Sequence, residues 1–278
     1  MQLPILTAKV AQAVRALHTE SFFSALTDML LSSVAASHCS VWYYTNDRTP
    51  ERLYDHAPSK ERQYLHTELL KAAYVIGPYY SGLVKNCAST GFYLISDIAP
   101  EGFKESEYYR TYYQPKGVSD EGMFFIRLSE AQSVGVLIEK VGAGNEFTRD
   151  EAECLEDLNA VTSSLISHHL VTESESESDT LPEINSSKSV VTAALESFGS
   201  SLLSEREREI CALILKGHSS KSGARLLDIS PETERVYRKR LYGKLGVVSQ
   251  GELFWLFIRA TEAFDPEVHS DPLISIKS

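Results

Sequence analysis

The chain has 278 residues, of which 43% are hydrophobic, and its 38 acidic and 27 basic side chains give a formal net charge of −11. That length suits one large or two ordinary domains, and the composition excludes a disordered or fibrous chain. No apolar run approaches the roughly 20 residues of a membrane span.

The first residues lack the layout of a signal peptide, because their apolar stretch is short and contains Pro4. Cys39, Cys87, Cys154 and Cys211 stand far apart, with no C-x-x-C and no histidine at metal-ligand spacing. These features predict a cytoplasmic protein without membrane association, disulfide framework, metal or cofactor. The charge is uneven: residues 1–199 hold 15 basic and 27 acidic side chains, whereas residues 200–262 hold 11 and 8. Phosphate attraction depends on local charge, so a basic island in an acidic chain suits contact with DNA.

Two helices open the chain, one with Val10, Val14 and Leu17 on a face, the next with Phe22, Phe23, Leu26, Met29, Leu30 and Val34. Strands are predicted at 38–44 and 52–56 around an Asn46-Asp47 turn. A helical stretch follows through Leu65, Leu69 and Leu70, then strands at 92–95, 123–128 and 134–140, the last two as a hairpin. A long helix begins near Phe147 and carries Leu155, Leu158, Val161, Leu165 and Ile166 on one side. Helices flanking an antiparallel sheet predict an α+β sensor domain over 1–171.

Twelve of the fourteen tyrosines precede residue 114. Tyrosine joins an apolar body to a polar tip, which suits a pocket wall. Trp42, Tyr93, Asp97, Tyr108, Tyr109, Tyr112 and Tyr113 are therefore candidate lining for a small-molecule effector. The stretch LISDIAPEGFKESEYYRTYYQPKGVSDEGMFF resembles the N-terminal half of bacterial LuxR-type regulators with a GAF-like domain. The resemblance implies a GAF/PAS-like sensing fold and names no effector. Residues 172–198, opening with TESESESDT, lack apolar periodicity and read as an acidic Ser/Glu-rich linker.

Residues 199–264 carry the densest signals. Ser204 and Glu207 form an S-x-x-E capping box, Ser219 can cap a second helix, and Ser230 followed by Pro231 opens a third. Two short helices joined by a tight turn, the later one basic, make a helix-turn-helix pattern. Glu234, Leu241 and Leu245 should face the core of this four-helix, all-α domain. The segment LLSEREREICALILKGHSSKSGARLLDISPETERVYRKRLYGKLGVVSQGELF is similar to the LuxR/FixJ-type DNA-binding domain. The resemblance implies that Arg235, Val236 and Lys239 contact bases. Lys221, Thr233, Tyr237, Arg238, Arg240 and Lys244 are candidates for phosphate contact, Arg238 for either role.

Three departures from that family stand out. Ser222-Gly223 replaces a Glu-Ile pair, Glu234 replaces a buried valine, and Asp228 replaces a turn glycine. Glu234 needs a partner such as Arg206 or Arg208, or must swing outward. The fourth helix holds six consecutive apolar residues, 253–258, more than one face requires. The surplus is read as a dimer seam, with contact to the sensor domain as the alternative. Residues 265–278 read as a mobile tail.

The sequence lacks a Gly-rich phosphate loop and a G-x-S-x-G elbow, and His168-His169 do not share a helix face. No receiver-type phosphoacceptor set and no acyl-homoserine-lactone sensor pattern appear. No catalytic residue is expected, and the protein is not read as an enzyme. The expectation is a dimeric bacterial transcriptional regulator under effector control. Its partners would be double-stranded DNA, a second copy, an effector and RNA polymerase. The alternative is an interaction protein whose degraded helix-turn-helix no longer binds DNA specifically.

Overall fold

The computed structural model describes residues 3–45, 48–60, 63–64, 67, 69–176, 189–268 and 270–276. The N-terminal elements are α1 (Leu3–Arg15), α2 (Phe22–Ser33), β1 (His38–Thr45), β2 (Glu51–Asp55), β3 (Gly91–Leu94) and α3 (Ile95–Ile98). Then come α4 (Glu107–Tyr112), β4 (Val118–Arg127), β5 (Gln132–Val141) and α5 (Arg149–Ser176). The C-terminal helices are α6 (Val190–Ser197), α7 (Glu205–Leu215), α8 (Ser220–Leu226), α9 (Pro231–Leu245), α10 (Gln250–Glu262) and α11 (Pro272–Ser275).

These elements form two compact units. One comprises Met1–Lys60, Leu83–Ile98 and Gly117–Ser187, the other Glu61–Gly82, Ala99–Lys116 and Lys188–Ser278. The boundary therefore does not fall at residue 171. Residues 61–82 and 99–116, expected with the sensor, pack with the C-terminal helices because their aromatic side chains find apolar partners there. Tyr112 meets Phe254 with ring centroids 6.5 Å apart, and the buried Tyr74 hydroxyl donates to Ser189 Oγ at 2.6 Å.

The first unit is a five-stranded antiparallel sheet in the order β2-β1-β5-β4-β3. Alternation sends Cys39, Val41, Phe124, Ile126, Val134, Val136 and Ile138 to one face, where they pack with Phe22, Leu26, Met29, Leu30, Leu155 and Ile166. Burying each large aliphatic or aromatic side chain contributes about 1.5–3 kcal/mol, so this seam holds the helices to the sheet. Val10 and Leu17 pack against the core on the predicted face, with Ala13 and Ala16 buried beside them, whereas Val14 is 48% exposed. Small alanines let α1 approach its neighbour closely, and that contact outweighs the larger valine. β3 stops at Leu94 and Ile95 opens a helix. The predicted helical stretch is helical at 63–64 and 67 and becomes a π-helical turn at Leu69–Ala73, and Leu65 and the Asn46-Asp47 turn lie outside the described residues.

The start of α5 is fixed by a reciprocal cap. The Thr148 amide donates to Glu151 Oε2 at 2.9 Å, and the Glu151 amide to Thr148 Oγ1 at 3.3 Å. The same carboxylate accepts from the buried Lys140 ammonium at 2.6 Å and from the Ala35 amide at 3.2 Å. Burial works to raise the Glu151 carboxyl, but these bonds outweigh it and hold the group at about 2, below the usual 4.5. Because the folded value is depressed, the stabilisation is complete above about pH 4.5 and is lost as pH falls toward 2. Urea unfolding across this window should show that Glu151→Gln removes about 3 kcal/mol of acid-dependent stability. Parallel pH profiles for the two proteins would contradict this.

Both segments expected to lack structure differ from the prediction. α5 runs to Ser176 and α6 occupies Val190–Ser197, so the predicted linker 172–198 is helical at both ends; residues 177–188 lie outside the described residues. The predicted tail is docked. Asp271 is fully buried and accepts from the amides of Gly199 (3.0 Å), Ser201 (2.8 Å) and Leu273 (3.0 Å), and from Ser201 Oγ (2.6 Å). Asp271→Ala leaves these donors unsatisfied and should lower stability by about 2–3 kcal/mol in a thermal or urea melt; an unchanged midpoint would contradict the clamp.

Candidate nucleic-acid interface

Helices α7 to α10 are positioned by caps that the local sequence dictates. Ser204 Oγ accepts from the Glu207 amide, and Glu207 Oε2 accepts from the Ser204 amide at 2.8 Å, a complete capping box. Ser219 accepts from the Ser222 amide, and Ser230 from the Thr233 amide with Pro231 at the first position of α9. α7 ends at Gly217, whose φ of +92° a side chain would strain. Asp228 takes the left-handed turn before α9 at φ +52°, which Asp tolerates better than most residues.

Glu207 does more than cap. Its buried carboxylate also accepts from Lys244 Nζ at 2.6 Å, which ties the end of α9 to the start of α7. Burial alone would raise this carboxyl, but the bonds from Lys244 and Ser204 hold it below the ordinary range. Lys244, predicted to contact phosphate, is thus engaged in the scaffold.

Arg238, the other candidate for DNA contact on this helix with an internal partner, is likewise engaged in the scaffold. Glu234 is 1% exposed, and its Oε1 accepts from Arg238 Nε at 2.9 Å and Nη2 at 2.8 Å. The partner is neither Arg206 nor Arg208, and the carboxylate does not swing outward. Arg206 instead donates to the Leu227 carbonyl at 2.6 Å and to Glu209 at 2.8 Å. A Cβ on Gly223 would lie 3.9 Å from Glu234 Oε1 and 3.8 Å from Leu213 Cδ1. Gly223 and Glu234, singled out separately in the sequence, therefore meet in space, a glycine beside a carboxylate–guanidinium pair. Ser222 Oγ contacts His218 Nδ1 at 2.6 Å. Burial and the nearby Lys216 and Arg225 push the His218 imidazole down to about 4.

The remaining candidates lie on the outside. Arg235, Val236 and Lys239 are exposed on one face of α9, and Arg235 forms a long 3.6 Å ion pair with the exposed Glu232. Such a surface pair contributes almost nothing to stability and can be exchanged for a phosphate or base. Arg240 is exposed, with its guanidinium 5.9 Å from the Tyr237 ring centroid. Lys221 is exposed on the first turn of α8, and Thr233 Oγ1 lies 3.0 Å from Ser230 Oγ. On α10, Leu253, Phe254, Phe257 and Ile258 are buried within this unit, while Trp255 is 44% exposed.

The candidate pocket residues are not brought together in one unit. Trp42, Tyr93 and Asp97 belong to the sheet unit, where Trp42 is buried with Nε1 donating to Ser40 Oγ at 2.9 Å and Asp97 is exposed. The four tyrosines belong to the other unit and pack on one another. Tyr109 stacks on Tyr113 at 5.5 Å, Phe103 meets Tyr113 at 5.4 Å, and Tyr108 meets Tyr112 at 5.1 Å. Their i, i+4 spacing on α4 builds a packed aromatic cluster.

Residues 201–257, which contain these capped helices and the exposed cationic face, match the family model described as bacterial regulatory proteins, luxR family. This segment is a luxR-family helix-turn-helix domain. The chain is 29% identical over 174 residues to a putative HTH-type transcriptional regulator in the exeN 3′ region of Aeromonas salmonicida, covering 60% of this chain and 86% of that one. It is 42% identical over 59 residues to the transcriptional regulatory protein TdiR of Thauera aromatica, covering 21% of this chain and 26% of that protein. Among solved structures, the VqsR LBD domain from Pseudomonas aeruginosa superposes with a TM-score of 0.52 at 20% identity, over 59% of this chain and 96% of that one. That likeness is one of fold. No described helix is long and apolar enough to cross a membrane.

Within the luxR-family domain, the Glu234–Arg238 pair makes a testable demand. Removing one partner of a buried ion pair strands the other charge, so Arg238→Ala should cost about 3 kcal/mol in urea unfolding. Glu234→Val together with Arg238→Ala should recover more than half of that loss. Equal losses in the single and double variants would mean that the pair is not coupled.

Proposed function

We propose that the chain is a transcriptional regulator that reads duplex DNA with the outer face of α9. The observation that carries this reading is the exposure of Arg235, Val236 and Lys239 on one face of a helix whose inner side is held by Glu234, Leu241 and the caps. A helix so presented fits the roughly 12 Å major groove, with long cationic side chains reaching base edges. In this reading the exposed Lys221 at the start of α8 and Arg240 on α9 serve as phosphate contacts, which set register without reading sequence. The departures behind the protein-binding alternative, Gly223 and Glu234, are buried, which leaves the outer face of α9 to Arg235, Val236 and Lys239.

Control by a small-molecule effector, assembly as a homodimer and contact with RNA polymerase belong to the same reading. Effector control draws support from the fold shared with a domain described as the ligand-binding domain of another protein. Dimerisation draws on the paired half-sites that helix-turn-helix proteins read.

Binding to duplex libraries separates the residue roles. Lys239→Ala should relax sequence preference, by about 1–3 kcal/mol of discrimination for a bidentate contact, and Lys221→Ala should weaken all duplexes alike and flatten the salt slope. Full-length protein that binds no duplex at low ionic strength would overturn the reading.

A further inference from the structure

α9 carries two carboxylates, and they are placed differently. Glu234 is buried and bonded to Arg238, whereas the Glu232 side chain is 76% exposed. Arg235, Val236 and Lys239 follow Glu232 at i+3, i+4 and i+7, the spacing of one helix face. An acidic side chain on that stripe is out of place on a face that meets phosphates alone, because it repels them and weakens binding to every duplex. Its place is the first turn of α9, and the early residues of a recognition helix reach base edges. A carboxylate accepts hydrogen bonds and donates none. In the major groove it suits the N4 amino group of cytosine and is repelled by the O6 and N7 acceptors of guanine. We infer that Glu232 is a specificity-determining residue that accepts from cytosine; the inference rests on the DNA-binding reading and adds the base that is read.

Arg235 completes the recognition unit. Its Nη1 lies 3.6 Å from Glu232 Oε1, and its side chain is 64% exposed. The guanidinium donates only, which matches O6 and N7 of guanine. A C·G pair presents both patterns in the major groove, the cytosine donor beside the two guanine acceptors. The surface ion pair therefore holds an acceptor and a fork of donors side by side, as that base pair requires. Exchanging it for base contacts costs little, since an exposed pair contributes little to stability. Adenine also offers an amino donor, but its thymine partner has one acceptor where the guanine of a C·G pair offers Arg235 two. Glu232 thus lowers affinity for duplex in general while raising selectivity. A carboxylate in the first turn also favours the helix dipole, a role that leaves base preference untouched.

The test compares the full chain with Glu232→Ala, Glu232→Gln and Glu153→Ala, the last removing the same charge from an exposed side chain on α5. Each protein is bound at low salt to a randomised duplex library, whose bound fraction is sequenced, and to one mixed-sequence duplex. Glu232→Ala is expected to bind the mixed duplex about threefold more tightly than Glu153→Ala, because a carboxylate has left the DNA face. It should also lose about tenfold preference for cytosine at one position of the selected site. An amide joins a donor to an acceptor and matches N6 and N7 of adenine, so Glu232→Gln should move the preference at that position from cytosine to adenine. Base preferences shared by all four proteins, or a loss at a base other than cytosine, would overturn the inference while leaving DNA binding intact. No binding by any of the four would instead remove the DNA reading, and the role of Glu232 with it.

Discussion

The helix-turn-helix domain depends on the carboxylate of Glu207. It closes the N-terminus of α7 by accepting from Ser204, and it holds the far end of α9 through Lys244. Two helices that must keep a fixed crossing to present a reading face are joined at one buried atom, Oε2. A group in that position is stabilising only while all its donors are present, since a half-satisfied buried carboxylate costs more than an apolar residue would. The same requirement explains why a conspicuous surface cation serves the interior. Lys244 remains 42% exposed, yet its ammonium points to Glu207.

The neighbouring Glu234 is held differently: its Oε1 accepts both Arg238 donors, while its buried Oε2 has no hydrogen-bond partner among the described residues. A glycine on α8 leaves room, and Arg238 supplies two donors from one turn further along the same helix. A polar pair stands at the joint between α8 and α9. Such a joint is more directional than an apolar one, because a guanidinium fork tolerates little misalignment. The exposed residues of α9 inherit that orientation, so the outer face is set by chemistry on the inner one.

How much of this was legible in the sequence follows from how local each interaction is. The caps at Ser204, Ser219 and Ser230 join residues three apart and were readable from the chain, as was the β4–β5 hairpin. Arg238 stands in a basic run and so reads as a DNA contact, although its i, i+4 relation to Glu234 also puts it within reach of the buried carboxylate. Lys244 and Glu207 are 37 residues apart, and no spacing rule connects them. The tyrosines at 108, 109, 112 and 113 were visible as a group, but their partners, Phe103 and Phe254, come from a turn and a distant helix. Short helices inside polar, serine-rich sequence escaped notice, although Asp271 before Pro272 is an N-cap signal.

The docked C-terminus changes what counts as the domain. The family match spans 201–257, yet Asp271 ties the backbone at Gly199 and Ser201 to α11, and Phe198 meets Phe257 with ring centroids 5.3 Å apart. The recognisable motif is therefore smaller than the piece that folds. An excised fragment cut at the motif's edges would lose its own buckle, and a fusion partner spliced in directly after α10 would separate the two halves of the clasp.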